Sequence, residues 1–431
     1  MKRVLLVFSI VCAAWQPPDG LRPPAGPGFG PVVWKYRTGG KVFSSPLVYR
    51  SLVFVGGDDK TLYALSASTG RVVWEFAAEG AIDGSVAAMG DNVYFGSYDG
   101  NVYALAAKTG RLRWMFRTRG EKRVGGKGLW TMKPLDEYMD DPFDFFLSSP
   151  ATDPGSGLVY IGSGDGNLYA LKAADGALKW RFQTGGIIHT SPVLNGNTVY
   201  IGSWDRNLYA VDSRTGKLKW KFQTRADSSY HLLEGIQASP LVYDGRVYFG
   251  ARDGFFYALA AETGQPQWTY PANNSWILTT ATAADGIVYT GTSDTYLLLA
   301  LDAKTGQEKF RTKANGYVYS SPVLYGNTVY FGDFSGQLLA VDKRSGAIVD
   351  KWQTPGRKAN GPELLKNDTL DFGYATKGMD LANYATTVEG MKRLYTLGPI
   401  VGRPAIANGV VYFASADGWV YALRLKGTAR N

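Results

Sequence analysis

One unit recurs along this chain about every 40 residues, and that recurrence limits the available folds more than any other feature. Its clearest copies are "YFGSYDGNVYALAAKTGRLRWMF" (94–116), "YIGSGDGNLYALKAADGALKWRF" (160–182) and "YIGSWDRNLYAVDSRTGKLKWKF" (200–222). Others start at Phe54, Tyr248, Tyr289 and Tyr330, with a partial copy from Tyr412. An alanine marks the same position in each: Ala64, Ala104, Ala170, Ala210, Ala258, Ala300, Ala340 and Ala422. That makes eight copies.

Each unit reads as four short strands with apolar and polar residues alternating, as half-buried strands require. The first follows a pair such as "SSP", "TSP" or "ASP". The second is "VYFGS"-like, the third "LYAL"-like, and the fourth carries Trp after a "TG" turn. The "DG" and "TG" pairs supply residues that tolerate positive φ. Four antiparallel strands repeated in this way predict an all-β fold, an eight-bladed β-propeller. The last copy stops at Leu425 before its Trp strand, while "VVWKYRTGG" (32–40) is a Trp strand with nothing before it. Joining the two completes an eighth blade and leaves no open edge. The ladder of fourth-strand aromatics is Trp34, Trp74, Trp114, Trp180, Trp220, Trp268, Phe310 and Trp352, the last two residues late in its blade. Recurrence at one repeat position marks these rings as packing between blades, not as platforms for a ligand.

The 45% hydrophobic composition is that of a globular chain. Lys2 and Arg3 followed by the apolar run Val4 to Ala14 predict an export signal over residues 1–14, too short to span a membrane. Residues 15–31 read as a Pro/Gly-rich linker, 32–425 as the propeller and 426–431 as a tail. The expected location is the periplasm or cell envelope. Cys12 is the only cysteine and lies within the signal, and Val11 before it disfavours lipidation. The net charge of +9 comes from scattered residues. Peripheral contact with an anionic membrane is compatible with it, whereas nucleic-acid binding is not supported, because no basic stripe appears.

"A-x-TG-x-x-x-W" after "GS-x-DG-x-LYAL" resembles the repeat of the pyrroloquinoline quinone (PQQ) enzyme-like propellers, over about residues 32 to 425. The resemblance implies the fold. For function it implies either of two classes, quinoprotein dehydrogenases or non-catalytic proteins such as the outer-membrane assembly factor BamB.

The intervals between marker alanines are long in three places, giving insertions near 119–148, 225–237 and 355–400. All lie between a Trp strand and the next central strand, so all rise from one face of the ring, which the "GSxDG" turns share. The first, containing "VGGKGLWTMKPLDEYMDDPFDFF", mixes Arg and Lys with acids and aromatics. It is expected to pair its own charges and to pin its aromatics to blades two and three. Trp130, Asp140 and Asp141 within it are candidate contacts for a ligand or partner. The two histidines, His189 and His231, map to the same face, and Glu234 stands near His231. A hydrogen-bonded role is favoured for them over metal ligation, because the spacing fits no zinc pattern. Ser45, Ser85, Ser149, Ser191, Ser239, Ser321 and Arg403 start the central strands and should line the channel mouth. Arg403 either holds an anionic ligand or pairs with a loop carboxylate, the second being favoured. Within the segment 355–400, "KGMDLANYATTVEGMKRLY" (377–395) reads as a short helix or a hairpin.

The expected function is that of an exported, monomeric binding or scaffold module, BamB-like in kind, meeting a protein or glycan partner at the loop face with no cofactor. One alternative is a PQQ-dependent dehydrogenase with calcium, although the adjacent cysteine pair typical of those enzymes is lacking. Another is a carbohydrate-binding or carbohydrate-active protein using rim carboxylates.

Overall fold

The computed structural model describes residues 28–226 and 234–427. Eight four-stranded antiparallel sheets form the ring. Blade 1 runs outward through Leu47–Tyr49, Leu52–Gly56, Thr61–Ser66 and Val72–Ala77. Blades 2 to 7 repeat this order from Ala87–Met89, Ala151–Asp153, Val193–Asn195, Leu241–Tyr243, Thr282–Ala284 and Val323–Tyr325. The eighth blade is made from both ends of the chain. Ala405–Ala407, Val410–Ser415 and Trp419–Leu425 are followed outward by Phe29–Arg37.

Middle strands are sandwiched between neighbouring blades and are buried on both faces. Outer strands alternate, as Val72–Ala77 does with Trp74 buried and Val73 exposed. Each outer Trp docks on the next blade. Its indole Nε1 donates to a backbone carbonyl there: Trp34 to Ala67 at 2.8 Å, Trp74 to Ala107 at 3.0 Å, Trp114 to Ala173 at 2.9 Å and Trp180 to Ser213 at 2.9 Å. Trp220 and Trp268 reach Ala261 and Ala303 in the same way. The ring lies against the "TG" glycine of that blade. Gly110 has φ +70°, and a Cβ there would stand 2.7 Å from the Trp74 ring. Glycine is therefore needed both for the turn and for the neighbour's indole.

The seam shows the ladder irregularity that the late position of Trp352 implies, and a closing strand that starts earlier than expected. Trp352 is out of register with the ladder, because Asp350 occupies the position opposite the marker Ala340. Trp352 instead packs edge-on against Phe413 and Tyr421 at 5.2 and 5.0 Å. Asp350 accepts from the Phe29 amide and the Lys426 ammonium, both at 2.9 Å, and so clasps the closing strand. That strand begins at Phe29, inside the expected linker, because the buried Phe29 ring meets Tyr330 at 5.8 Å. The expected signal, Cys12, His231 and the end of the tail lie outside the described residues.

Burying one Trp contributes roughly 4–6 kcal/mol at most, taking about 150–250 Å² at about 25 cal/mol per Å². Trp114→Ala should lower the unfolding free energy by about 3–5 kcal/mol, and Trp114→Phe, keeping most of the ring area, by clearly less. Denaturant unfolding of the two variants checks this.

Candidate functional site: the roofed mouth of the channel

The first and third insertions join into one roof. The first contains a hairpin, Gly125–Lys127 against Tyr138–Asp140. In the third, the stretch 377–395 carries a helix, one of the two expected outcomes, and the residues before it add two more helices and a hairpin. Helix α1 (Pro355–Leu364) starts on Thr354, whose side chain accepts from the Arg357 amide. A short hairpin at 365–370 follows, then α2 (Phe372–Ala375) and α3 (Tyr384–Tyr395). Asn383 caps α3, and Lys392 and Arg393 suit its C-terminal end. The two insertions are zipped together. Lys133 N donates to Ala382 O at 2.7 Å, Tyr384 N to Lys133 O at 3.0 Å, and the Tyr384 hydroxyl to Asp140 O at 2.8 Å.

The aromatics of the first insertion cross the channel axis and do not fasten it to blades 2 and 3 as expected. Phe145 stacks on Phe43 of blade 1 at 5.0 Å and meets Tyr319 and Phe334 of blade 7 at 5.8 and 6.2 Å. Leu364, Met391, Leu394 and Leu397 of the third insertion complete this apolar cluster. Blade 1 and blade 7 flank the seam blade, so the first insertion, which leaves the ring between blades 2 and 3, reaches across it to meet them.

Nor do the charges of the first insertion mainly pair with one another. Asp141 reaches buried Arg252 of blade 5, with Oδ2 to Nη1 at 2.7 Å. Arg252 Nε donates to Gln237 Oε1 at 2.9 Å, and the guanidinium lies between Trp204 and Trp276, 4.6 and 4.2 Å from the ring centres. Burial pushes the Asp141 carboxyl up, and Arg252 opposes this. His189, 2% exposed, bonds Asp144 Oδ1 through Nδ1 at 2.9 Å. Its Nε2 stands 3.1 Å from Lys122 O and 3.3 Å from Glu121 Oε1. Burial disfavours the imidazolium, but Asp144 and Glu121 outweigh it and raise the pKa to about 10. The ring is thus charged at neutral pH, with both nitrogens donating.

Beneath the roof the start of each central strand contributes to a ring of hydrogen bonds. The backbone amide of one blade donates to the hydroxyl of the next: Ser45 to Ser85 at 2.9 Å, Ser85 to Ser149 at 2.8 Å, Ser149 to Ser191 at 3.0 Å and Ser191 to Ser239 at 2.8 Å. Thr280 donates to Ser321 and Arg403 to Ser45, both at 2.9 Å. These residues line a cavity of about 90 Å³ with Asp83, His189 and Gln237, closed above by Phe43, Phe146 and Tyr319.

Of the residues singled out from sequence, Asp141 and His189 are buried in the ion pairs that hold the roof. Trp130 is half-buried and meets Phe143 at 5.9 Å. Asp140 is exposed at the hairpin's end and joins the third insertion through its carbonyl. Glu234 pairs with Arg206 at 3.0 Å. Arg403 does line the channel, but the favoured pairing with a loop carboxylate does not occur: among the described residues its guanidinium meets no acid. Desolvation lowers its pKa. The "GSxDG" acids serve their hairpins, as Asp99 does by accepting from Asn101 N and the Tyr103 hydroxyl, both at 2.8 Å.

Sequence reasoning missed Asp83, Glu121 and Arg252. Two columns across the repeats contain signals for two of them. Two residues before each ring position stand Phe43, Asp83, Leu147, His189, Gln237, Leu278, Tyr319 and Val401, and the polar members are the outliers. Arg252 is the lone cation at the variable position of the "GSxDG" turns. For Glu121 there is no such column.

A planar tricarboxylate quinone with calcium does not fit these residues. The mouth is filled by Phe145 and its partners, the cavity below is far smaller than the roughly 300 Å³ of the smallest usual ligand sites, and among the described residues no group of three or more His, Cys, Asp or Glu is placed to hold a metal.

Two outcomes follow from the ion pairs. His189 has a folded pKa above the unfolded value near 6.5, so its pairing stabilises fully below about pH 6.5 and fades as pH rises toward about 10. The stability gap between wild type and His189→Gln should narrow over that window, by up to about 1.4 kcal/mol per pH unit, in urea titrations from pH 6 to 9. Asp141→Asn leaves Arg252 buried without its counter-charge and should cost about 3–5 kcal/mol. Limited proteolysis should then cut the first insertion sooner.

A family profile described as outer membrane protein assembly factor BamB matches residues 29–125, 119–271 and 231–366. No curated protein sequence matches. Among solved structures, BamB from Moraxella catarrhalis is similar with a TM-score of 0.65 and 18% identity, over 91% of this chain and 99% of that one. A quinohemoprotein alcohol dehydrogenase from Pseudomonas putida HK5 has a TM-score of 0.64 and 15% identity, over 93% and 77%. A europium-containing methanol dehydrogenase has 0.63 and 14%, over 92% and 93%. At such identities these structures share the fold alone. The profile covers most of the chain, which therefore belongs to the family described as outer membrane protein assembly factor BamB.

Proposed function

We propose that this chain is an exported, non-catalytic propeller that binds a protein partner of the cell envelope through its roofed face. The observation that carries this reading is the roof itself. Its buried acids are engaged in holding it down, Asp141 on Arg252 and Asp144 on His189, while apolar side chains stand outward on it. Leu135 is 61% exposed, Tyr138 59% and Tyr374 41%. Exposed Tyr and Leu on a preorganised surface are the residues a partner would cover. Membership in the assembly-factor family supports the same reading, and the basic start and apolar run at residues 2–14 support export. No described helix is long and apolar enough to cross a membrane.

A photo-crosslinker at Leu135 or Tyr138, in the chain expressed with its envelope, should join it to one recurring protein, and a crosslinker at Val73 on the outer edge of blade 1 should not. Leu135→Asp should abolish the adduct at Tyr138 without lowering the melting temperature. Saturable one-to-one binding of PQQ with calcium in calorimetry would overturn this reading and restore the dehydrogenase.

A further inference from the structure

We infer that the channel beneath the roof is a binding site for one small oxyanion, a phosphate, sulfate or carboxylate group, held by the Arg403 guanidinium and the ring of hydroxyls.

The donors are already oriented. Each serine hydroxyl in the ring accepts an amide from the neighbouring blade, which fixes the oxygen and occupies a lone pair. Among the described residues none of these hydroxyls donates to a protein acceptor, so their protons remain for whatever occupies the cavity they line. Thr280 adds a hydroxyl with no amide to accept. A ring of O–H donors around one axis is a neutral anion receptor.

At the eighth position the repeat supplies a cation instead. Arg403 is the one ring residue that is neither Ser nor Thr, and its backbone amide still joins the ring at Ser45. The residue lines the channel and is exposed there, partly desolvated by the surrounding protein, and its guanidinium has no carboxylate partner among the described residues. A guanidinium left unpaired in this way is open to an anion, and its planar fork matches an oxyanion through two parallel hydrogen bonds.

Size and opposing charge limit the ligand. A cavity of about 90 Å³ suits a small ion and is far below the roughly 300 Å³ of the smallest usual organic-ligand sites. Asp83 is the acid that lines it. Its side chain is buried, and Oδ1 has no hydrogen-bond partner. Burial above all, with Asp58 and Asp144 adding and Arg123 and Lys41 opposing, pushes its carboxyl up to about 7. Near neutrality it is therefore partly protonated, and in that form it adds a donor where its anion would repel. His189 also lines the cavity, with its charge matched by Asp144 and Glu121.

This assignment is independent of the partner-binding reading, because the cavity lies below the roof and the partner surface above it. The test is calorimetry on the full chain, desalted into dilute Tris, with inorganic phosphate, sulfate and acetate titrated separately, together with melting curves in each. One phosphate or sulfate per chain should bind saturably and raise the melting temperature. Arg403→Gln should weaken binding at least about tenfold and remove the shift, while melting close to wild type without anion, since the exchange keeps the backbone amide that joins the ring. Thr280→Val, which takes a hydroxyl and no amide acceptor, should weaken binding severalfold. Acetate binding more tightly than phosphate would assign the site to a carboxylate. No saturation by about 50 mM of any of the three, or equal affinity in Arg403→Gln, would overturn the proposal.

Discussion

Everything else in this molecule hangs on the contact between an outer-strand indole and the "TG" turn of the next blade. A propeller blade has two broad faces and cannot cover either alone, so its stability comes from its neighbours. Here each indole contributes apolar area and one hydrogen bond to a carbonyl, and it meets a glycine that leaves room for it. The polar end of the ring is satisfied and the flat end is buried, which suits Trp better than any other residue. One contact type, used six times with Trp and once with Phe310, sets both the distance and the angle between blades.

Where this contact is missing the chain uses charge. Blade 7 has Asp350 at the ladder position, next to the strand supplied by the N-terminal part of the chain. A carboxylate that accepts from Phe29 and Lys426 fastens two segments almost 400 residues apart in sequence. An indole there would make one hydrogen bond to the neighbour, where the carboxylate makes two, to two different segments.

The roof follows different physics from the ring. Its insertions have no repeat to pack against, so they are held by buried ion pairs and by aromatic contacts across the axis. Such pairs add specificity more than net stability, since desolvating the charges offsets much of their attraction. What they provide is a fixed loop arrangement over a rigid scaffold. That leaves the outer surface preorganised and the channel below closed on one side.

Much of this was legible in the chain before any coordinates. The alanine markers, the Trp ladder and the incomplete first and last copies determined eight blades and their closure, because strand period and blade packing are local and repeated. The first and third insertions could be placed on one face for the same reason. The pairing of Asp141 with Arg252, and of His189 with Asp144 and Glu121, could not be read, because those partners lie on different blades and meet only once the ring is closed. Arg403 shows the division most clearly. Its position at the start of a central strand was determined by sequence alone. That its guanidinium pairs with no carboxylate among the described residues, beside a ring of hydroxyls, was decided only by the tertiary structure, since a residue's electrostatic surroundings are set by what the closed fold brings to it across the axis.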